Sequence, residues 1–457
     1  MGNGLTQAFT YDTDYRVTRV QVGNAAQGVG AWLDRSLTWT GDMATAIADN
    51  QFPGNTTPFT YAQQSQTFTY TAKRRLATAK GYYGTISWLY DANGNRTRET
   101  LNGVVSTYTY PTTSNKLTKV TPTGGTARNF TYDAAGNTAT DSRTGALGLT
   151  SEYDVEGRLS KVYQTNNSAE GATYAYDARG RLSARTVTHA SAPTSTTTVY
   201  VHDLNDHIIA ELNASGQTLR EYIWLDDMPV AVVDNVASGN PVIYYVHVDH
   251  LMRPARMTAQ DTSWVWDVIY APFGGVSYIW SNPANIDLRF PGQWFQLESG
   301  LAYNWHRHYD ATLGRYVQPD PLRVDDAEGA TVGGITKAPP QQRSSILERI
   351  SSLAGSRFNE RGVQSSNRAV YPDGPSIYGY VSQSPLAYLD PEGLVEIKGY
   401  SGHALGRMQL RGITPGAVVD ACQNPLKSFL QPNGNTCYVG TSCTVILSPD
   451  GWVVTVY

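Results

Sequence analysis

Three groups of residues in this 457-residue chain have side chains and spacings that suit chemistry. His403, Arg407 and Arg411 recur every four positions, which on a helix turning about 100° per residue spreads them over about 80° of one face. An imidazole moves a proton and paired guanidinium donors grip phosphate oxygens, so the row suits attack on a phosphodiester. A solvated basic face is the other reading of the same three residues. Asp320 and Asp390 each open an Asp-Pro step. Two carboxylates that share a proton hydrolyse a peptide, one staying neutral as the acid while the other activates water. If they do not meet, both steps are only turns. Lastly, His247-Val248-Asp249-His250-Leu251 and His306-Arg307-His308 place histidines at close spacing, His306 and His308 on one face of a strand. A structural role is preferred to a metal site for both, and no cofactor is implied.

The elements that must hold these residues are written as a repeat. Tyr90-Asp91-Ala92-Asn93-Gly94-Asn95 returns as Tyr132-Asp133-Ala134-Ala135-Gly136-Asn137, Tyr153-Asp154-Val155-Glu156-Gly157-Arg158 and Tyr176-Asp177-Ala178-Arg179-Gly180-Arg181. The aspartates are 42, 21 and 23 positions apart, and a fixed period of this size means stacked supersecondary units. Asp at the head of the turn accepts backbone N–H groups ahead of it, and Gly three positions later takes the left-handed conformation that closes a hairpin. Each unit is therefore a strand, a turn and a strand, and its tyrosines are expected to form a ladder on one face. Degenerate copies begin at Tyr11-Asp12 and Tyr200-Val201-His202-Asp203. These aspartates are turn formers, not catalytic acids.

The series Phe290-Pro291-Gly292-Gln293, Tyr303-Asn304-Trp305, Gly314-Arg315-Tyr316-Val317-Gln318, Asp320-Pro321 and Asp390-Pro391-Glu392-Gly393-Leu394 follows the repeats in order. Repeats and series together resemble the core-associated region of Rhs and YD-repeat proteins over most of residues 1–394. The resemblance implies a β-shell, a self-cleaving site made by Asp320 and Asp390, a cut between Leu394 and Val395, and release of a variable C-terminal toxin. Arg315 is a candidate to orient a carboxylate or stabilise an oxyanion. The resemblance also implies a structural role for the His-x-Asp-His-Leu stretch. One departure stands out: the family places its two aspartates about two dozen residues apart, whereas these are 70 apart. The segment from about 323 to 371 looks inserted, with a loop at Ala338-Pro339-Pro340 and a short helix over Ser344–Ala354.

After Leu394 the sequence changes character, and all three cysteines, Cys422, Cys437 and Cys443, lie there. They read as reduced packing residues, with a Cys437–Cys443 bridge as the alternative. A helix is expected over Gly402–Arg411 between Ser401 and Gly412, and a second from Thr414-Pro415 to about Gln423. Strands are expected over Thr436–Val439, Cys443–Leu447 and Trp452–Tyr457, the last two joined at Ser448-Pro449-Asp450-Gly451. The spelling His403-Ala404, Arg407 and Arg411-Gly412-Ile413, with the closing Val453-Val454-Thr455-Val456-Tyr457, resembles a toxin family related to barnase, EndoU, colicin and RelE ribonucleases. That resemblance adds Thr455 to the candidate site and makes RNA the candidate substrate. Four basic residues against three acidic ones after Leu394 give weak support for RNA binding.

The expected architecture is mainly β: a YD-repeat shell over 1–287, a core autoprotease region over 288–394 and a small α+β helix-helix-sheet domain over 395–457. A formal charge of −4 argues against a chain-wide field for nucleic acid or anionic lipid, and 30 tyrosines against 10 phenylalanines suit strands with one wet face. No apolar run is long enough to span a membrane, and the first residues lack the pattern of a signal peptide. The expected protein is a delivered toxin, held in the producer's cytoplasm until a secretion system exports it, with a cognate immunity protein. A scaffold without catalysis, a deoxyribonuclease payload and a translation-blocking binder are the alternatives.

Overall fold

The computed structural model describes residues 1–14, 16–51, 64–143, 148–192, 194–320, 376–386 and 390, with shorter runs between 399 and 457. From Thr6–Tyr11 to Val276–Ser281 the chain forms a 24-stranded sheet in which each strand pairs antiparallel with the next in sequence. The turns explain this regularity. Asp154 Oδ1 accepts the backbone N–H of Glu156 at 3.0 Å and of Arg158 at 2.9 Å, and Oδ2 accepts Arg158 Nε at 2.8 Å. Gly157, at φ 79°, donates to the Asp154 carbonyl at 3.0 Å. Asp91, Asp133 and Asp177 likewise accept the N–H four positions ahead at 2.8, 2.8 and 2.9 Å. The aspartates of the repeat are consumed by their turns, as the sequence implied.

The same turn closes at Asp203 with Asp206 at φ 68° where the repeat has glycine, and at Asp249 with Met252 at φ 62°. His247-Val248-Asp249-His250-Leu251 is thus a further, disguised copy of the repeat turn. Burial holds His247 at about 3 and His250 at about 4, so both rings are neutral, and His247 shares a 2.9 Å hydrogen bond with Thr258 Oγ1. His306 and His308 do not share a strand face, because His306 sits in the turn before Arg307–Asp310 while His308 is buried within that strand.

The tyrosine ladder is built from hydrogen bonds. Tyr90, Tyr132, Tyr153 and Tyr176 donate their hydroxyls to the carbonyls of Leu76, Leu117, Thr138 and Leu159 at 2.7, 2.8, 2.8 and 2.6 Å. In each case the strand register shifts immediately before the tyrosine, as a bulge does when it re-aims a side chain. Burial pushes the Tyr153 and Tyr176 hydroxyls up, which keeps them protonated as donors.

Strands Val242–Val248, Pro254–Thr258 and Trp264–Tyr270 are nearly all buried. The N-terminal part packs against them: Gln7 Nε2 donates to the Val248 carbonyl at 2.8 Å, Trp32 Nε1 to Thr262 at 2.8 Å, and Gln64 Nε2 to Asp267 at 3.0 Å. Next comes a small antiparallel sheet of Trp294–Gln296, Leu301–Asn304, Arg307–Asp310 and Arg315–Tyr316. Its middle strands are buried throughout, and it is bolted to the large sheet. Tyr309 donates to the Phe273 carbonyl at 2.8 Å, the Leu182 N–H donates to Tyr303 at 2.8 Å, and Arg128 Nη2 reaches Asp310 at 2.6 Å.

Near the C-terminus a five-stranded sheet runs in the order Gly399–Tyr400, Trp452–Val456, Thr444–Leu447, Thr436–Val439, Lys427–Leu430, with the first pair parallel. The three expected strands are present, and Lys427–Leu430 and Gly399–Tyr400 add to them. Arg407 and Arg411 are helical. The rest of the two expected helices, the Ser448-Pro449-Asp450-Gly451 turn and the 323–371 segment lie outside the described residues. Cys437 and Cys443 are buried and unbridged. Among the described residues no helix is long and apolar enough to cross a membrane.

Asp310 allows a test of how the small sheet is anchored. Burial alone would raise its carboxyl, but Arg128, Arg143 and Thr312 outweigh burial and bring it down to about 2. A depressed carboxylate stabilises the fold above its unfolded value near 3.9 and loses that contribution as pH falls toward 2. Asp310→Asn is therefore expected to lose about 2–3 kcal/mol at pH 7 from the charge alone, at about 1.4 kcal/mol per unit. In urea unfolding followed against pH, the gap to the parent protein should close between about pH 4 and pH 2.

Candidate active site

Asp320 and Asp390 converge on one guanidinium although 70 positions separate them. The chain that returns at Ile377–Gly379 lies along the last strand of the small sheet. Tyr316 N–H donates to the Tyr378 carbonyl and Asp320 N–H to the Ile377 carbonyl, both at 2.9 Å, and Arg315 bridges to Gly379. Beyond it, Tyr380, Val381, Gln383, Ser384 and Leu386 are buried in the core. The two aspartates converge because the backbone pairing resumes beside Asp320.

Arg307 stands between them. Its Nη2 lies 3.2 Å from Asp390 Oδ2 and 3.6 Å from Asp320 Oδ2, and all three side chains are about 1–2% exposed. The guanidinium carbon sits 3.7 Å from the centre of the Tyr316 ring. Tyr316 in turn donates its hydroxyl to Asp390 Oδ2 at 2.7 Å. Asn304 Nδ2 donates to the Tyr316 hydroxyl at 2.7 Å and to the Asp390 carbonyl at 2.8 Å. Burial and the neighbouring Asp390 charge push the Tyr316 hydroxyl well above its ordinary value, so it remains a donor. Its ring packs with Tyr309 and Tyr380 at 5.7 and 5.9 Å between centroids.

Arg315 does not take the expected place. Its Nη2 donates to the Asn115 carbonyl at 2.9 Å, Nη1 reaches the Tyr110 hydroxyl at 3.3 Å, and the guanidinium covers the Tyr378 ring at 4.6 Å. Strand alternation is the reason: Arg315 and Tyr316 point to opposite faces, and Tyr316 has the face toward Asp390. Arg307 was hidden in the sequence by the histidines on either side. The available signal was a cation placed inside a strand, Arg307–Asp310, that also carries an aromatic and an acid. Two cavities, of about 410 and 570 Å³, are lined by other residues.

In the C-terminal segment, His403 and the Leu394–Val395 bond lie outside the described residues. Arg407 and Arg411 converge on the last residue, with guanidinium carbons 5.1 and 5.6 Å from the Tyr457 ring centre. Thr455 is buried on the final strand. Both arginines lie over one face-accessible aromatic ring, an arrangement of the cation–π kind.

The Teneurin YD-shell family model matches residues 41–332, more than half of the chain. The chain belongs to the Teneurin YD-shell family. YD-shell relatives include the tRNA nuclease WapA of Bacillus subtilis, 23% identical over 81% of this chain and 16% of WapA. Double-stranded DNA deaminase toxin A of Burkholderia cenocepacia is 27% identical over 43% of this chain and 15% of its own length. The toxin protein Tse5 of Pseudomonas aeruginosa is 31% identical over 23% of this chain and 8% of Tse5. A chain of the Photorhabdus luminescens Tc holotoxin pore superposes on 86% of this YD-shell chain with a TM-score of 0.61 at 15% identity, which shows a common fold. This chain spans 18% of that structure and a similarly small part of the relatives' length.

Removing one member of a buried ion cluster leaves the others uncompensated, at a typical cost of about 3–5 kcal/mol. Arg307→Ala is expected to lower the unfolding free energy at pH 7 by that order, seen as a lower urea midpoint, because two buried carboxylates then lack the cation. An unchanged midpoint would mean that Arg307 does not bind the pair in solution.

Proposed function

We propose that this YD-shell chain belongs to a toxin that cuts its own backbone between Leu394 and Val395 with Asp320 and Asp390, freeing residues 395–457 as the active payload. The observation that carries this reading is the burial of two aspartates, far apart in sequence, on either side of one guanidinium. Burial of both aspartates favours a substrate supplied by the same chain, and the proposed bond lies four residues after Asp390 in the sequence. Arg307, rather than Arg315, is the cation that holds the pair and can offset charge as the carbonyl is attacked. The division into a shell over 1–287, a core over 288–394 and a payload over 395–457 goes with this proposal.

For the payload we favour a ribonuclease, with His403 moving protons, Arg407 and Arg411 on phosphate and Thr455 as a further polar group. Arg407 and Arg411 both lie over the Tyr457 ring, which supports a common site for these two, and WapA is named as a tRNA nuclease. A second reading rests on the DNA deaminase toxin among the relatives: similar sequence occurs in proteins named for unrelated chemistries, so the payload of this chain can act on another substrate. A toxin of either kind requires a cognate immunity protein in its producer and machinery that delivers it to a target cell.

Purified full-length protein is expected to separate on a denaturing gel into fragments ending at Leu394 and starting at Val395, identified by mass, while Asp320→Asn or Asp390→Asn leaves one intact chain. An intact parent protein after prolonged incubation refutes self-cleavage. Expression of residues 395–457 in bacteria is expected to degrade RNA, and His403→Ala to lower cleavage by about a hundredfold to ten-thousandfold. Equal toxicity of His403→Ala with no change in any RNA species would assign the payload to another chemistry.

A further inference from the structure

We infer that the turn headed by Asp203 is a pH switch in the shell: with His207 protonated it staples two successive hairpin turns together beside the small sheet, and with His207 neutral the staple opens. Neither self-cleavage nor the chemistry of the payload enters into it. In the repeat turns at Asp12, Asp91, Asp133, Asp154, Asp177 and Asp249, the residue four positions on returns its side chain to Oδ2 of the aspartate. Arg16 Nε does so at 2.8 Å, Asn95 and Asn137 Nδ2 at 2.9 Å, and Arg158, Arg181 and Arg253 Nε at 2.8, 2.7 and 2.8 Å. Amide and guanidinium donors keep their protons throughout the neutral range. At the Asp203 turn the same position holds His207, whose Nδ1 lies 3.1 Å from Asp203 Oδ2. Imidazole is the side chain that changes charge between pH 5 and 8.

The second ring nitrogen, Nε2, lies 3.0 Å from Asp227 Oδ1, in the turn between Thr218–Leu225 and Met228–Asp234. The ring lies flat on Trp224, 4.5 Å between centroids and 13° from parallel, which fixes its plane. A neutral imidazole has one N–H to give, so it serves one carboxylate and turns a lone pair toward the other; the imidazolium donates to both. Among the described residues the Asp227 carboxylate has no other hydrogen-bond partner.

The surrounding charges are otherwise taken up. Asp206 of the same turn binds Arg179 and Arg181 of the turn before, each at 2.8 Å, and Arg181 also holds Asp177. Burial holds His202 neutral, at about 4. Across the cavity, Arg289 donates to the Ile286 and Leu288 carbonyls. For His207 burial opposes the charge, but the hydrogen bonds to Asp227 and Asp203 outweigh it and raise the ring above its ordinary 6.5. A raised folded value contributes stability that is fully present below the unfolded 6.5 and is lost as pH rises through the folded one.

The staple sits where the small sheet is seated. Arg179, held by Asp206, accepts Trp305 Nε1 on its carbonyl at 3.3 Å. His207, Asp227, Trp224 and Trp305 line one cavity of about 410 Å³. The seam between shell and small sheet is therefore tighter in acid and looser above neutrality.

The test uses the full chain labelled with ¹³C-histidine, with the His207 signal identified by its loss in His207→Arg. Its titration midpoint is expected above pH 6.5 and lower in Asp227→Asn. Hydrogen exchange of the amides of 205–208 and 226–228, corrected for intrinsic rate, is expected to show protection falling about threefold to tenfold from pH 5.5 to 8.5, between the effects of an exposed and a buried charged pair. The Asp154 turn, locked by Arg158, should not change. His207→Arg installs the residue found at 158, 181 and 253 and should keep protection at both pH values. A midpoint at or below 6.5 overturns the inference, and so does a fall in protection that is equal at the Asp154 turn or that persists in His207→Arg. Should His207→Arg fail to fold, His207→Gln assigns the signal, and the comparison of the two turns in the parent chain still decides.

Discussion

The hydrogen bond from a buried tyrosine hydroxyl to a carbonyl of the preceding hairpin is the interaction on which the structure is built. A meander in which each strand touches only its sequence neighbours has little to keep successive hairpins in step. The bonds from Tyr90, Tyr132, Tyr153 and Tyr176 tie each unit to the one before, and each is worth about 0.5–1.5 kcal/mol net. Burial enforces them, because an unpaired phenol in the same place would cost as much again or more. The register shift before each tyrosine follows from this requirement, since a regular strand would aim the ring elsewhere. The Asp turn then reverses the chain at a fixed distance from the tyrosine.

A sheet made this way offers a long apolar face, and the small sheet around Leu301–Asn304 and Arg307–Asp310 covers part of it. Two kinds of contact fix its position. Aromatic rings fill space, as with Trp294 against Tyr200 and Tyr222 at 5.7 and 5.1 Å. Charged hydrogen bonds set direction, as with Arg128 to Asp310 and Arg143 Nη1 to the Ser299 carbonyl at 2.6 Å. Buried charges of this sort contribute little net stability but are costly to break singly, so they specify one seating of the small sheet over others.

The aspartate pair inherits its precision from that seating. Arg307 lies on one strand and Tyr316 on the strand that follows the next turn, while Asp390 arrives on an arm whose aromatic anchor, Tyr380, packs against Phe290 and Tyr309 at 5.3 and 4.7 Å. None of these groups would be placed by its own local structure. Each is held because the sheet beneath it is held, which in turn depends on the ladder of tyrosines and turns.

Much of this was legible in the sequence, and the reason is locality. A turn that needs Asp at its head and Gly three positions on writes itself into five residues, so the hairpins, their period and the mainly β architecture could be read directly. The copy at Asp249, where Met252 takes the left-handed position, escaped recognition, because the signal is the glycine and the geometry survives without it. Pairing of Asp320 with Asp390 was legible only through the ordered motifs around them. The placement of Arg307 rather than Arg315 beside the aspartates, and of the Tyr316 hydroxyl on Asp390, was decided by tertiary structure. Which face of a two-residue strand meets an arm returning from 60 residues away depends on the register of that arm, and register is a property of the assembled sheet. By itself the sequence determined the repeated unit and the candidate acids; the packing of one sheet upon another decided which cation and which hydroxyl stand beside them.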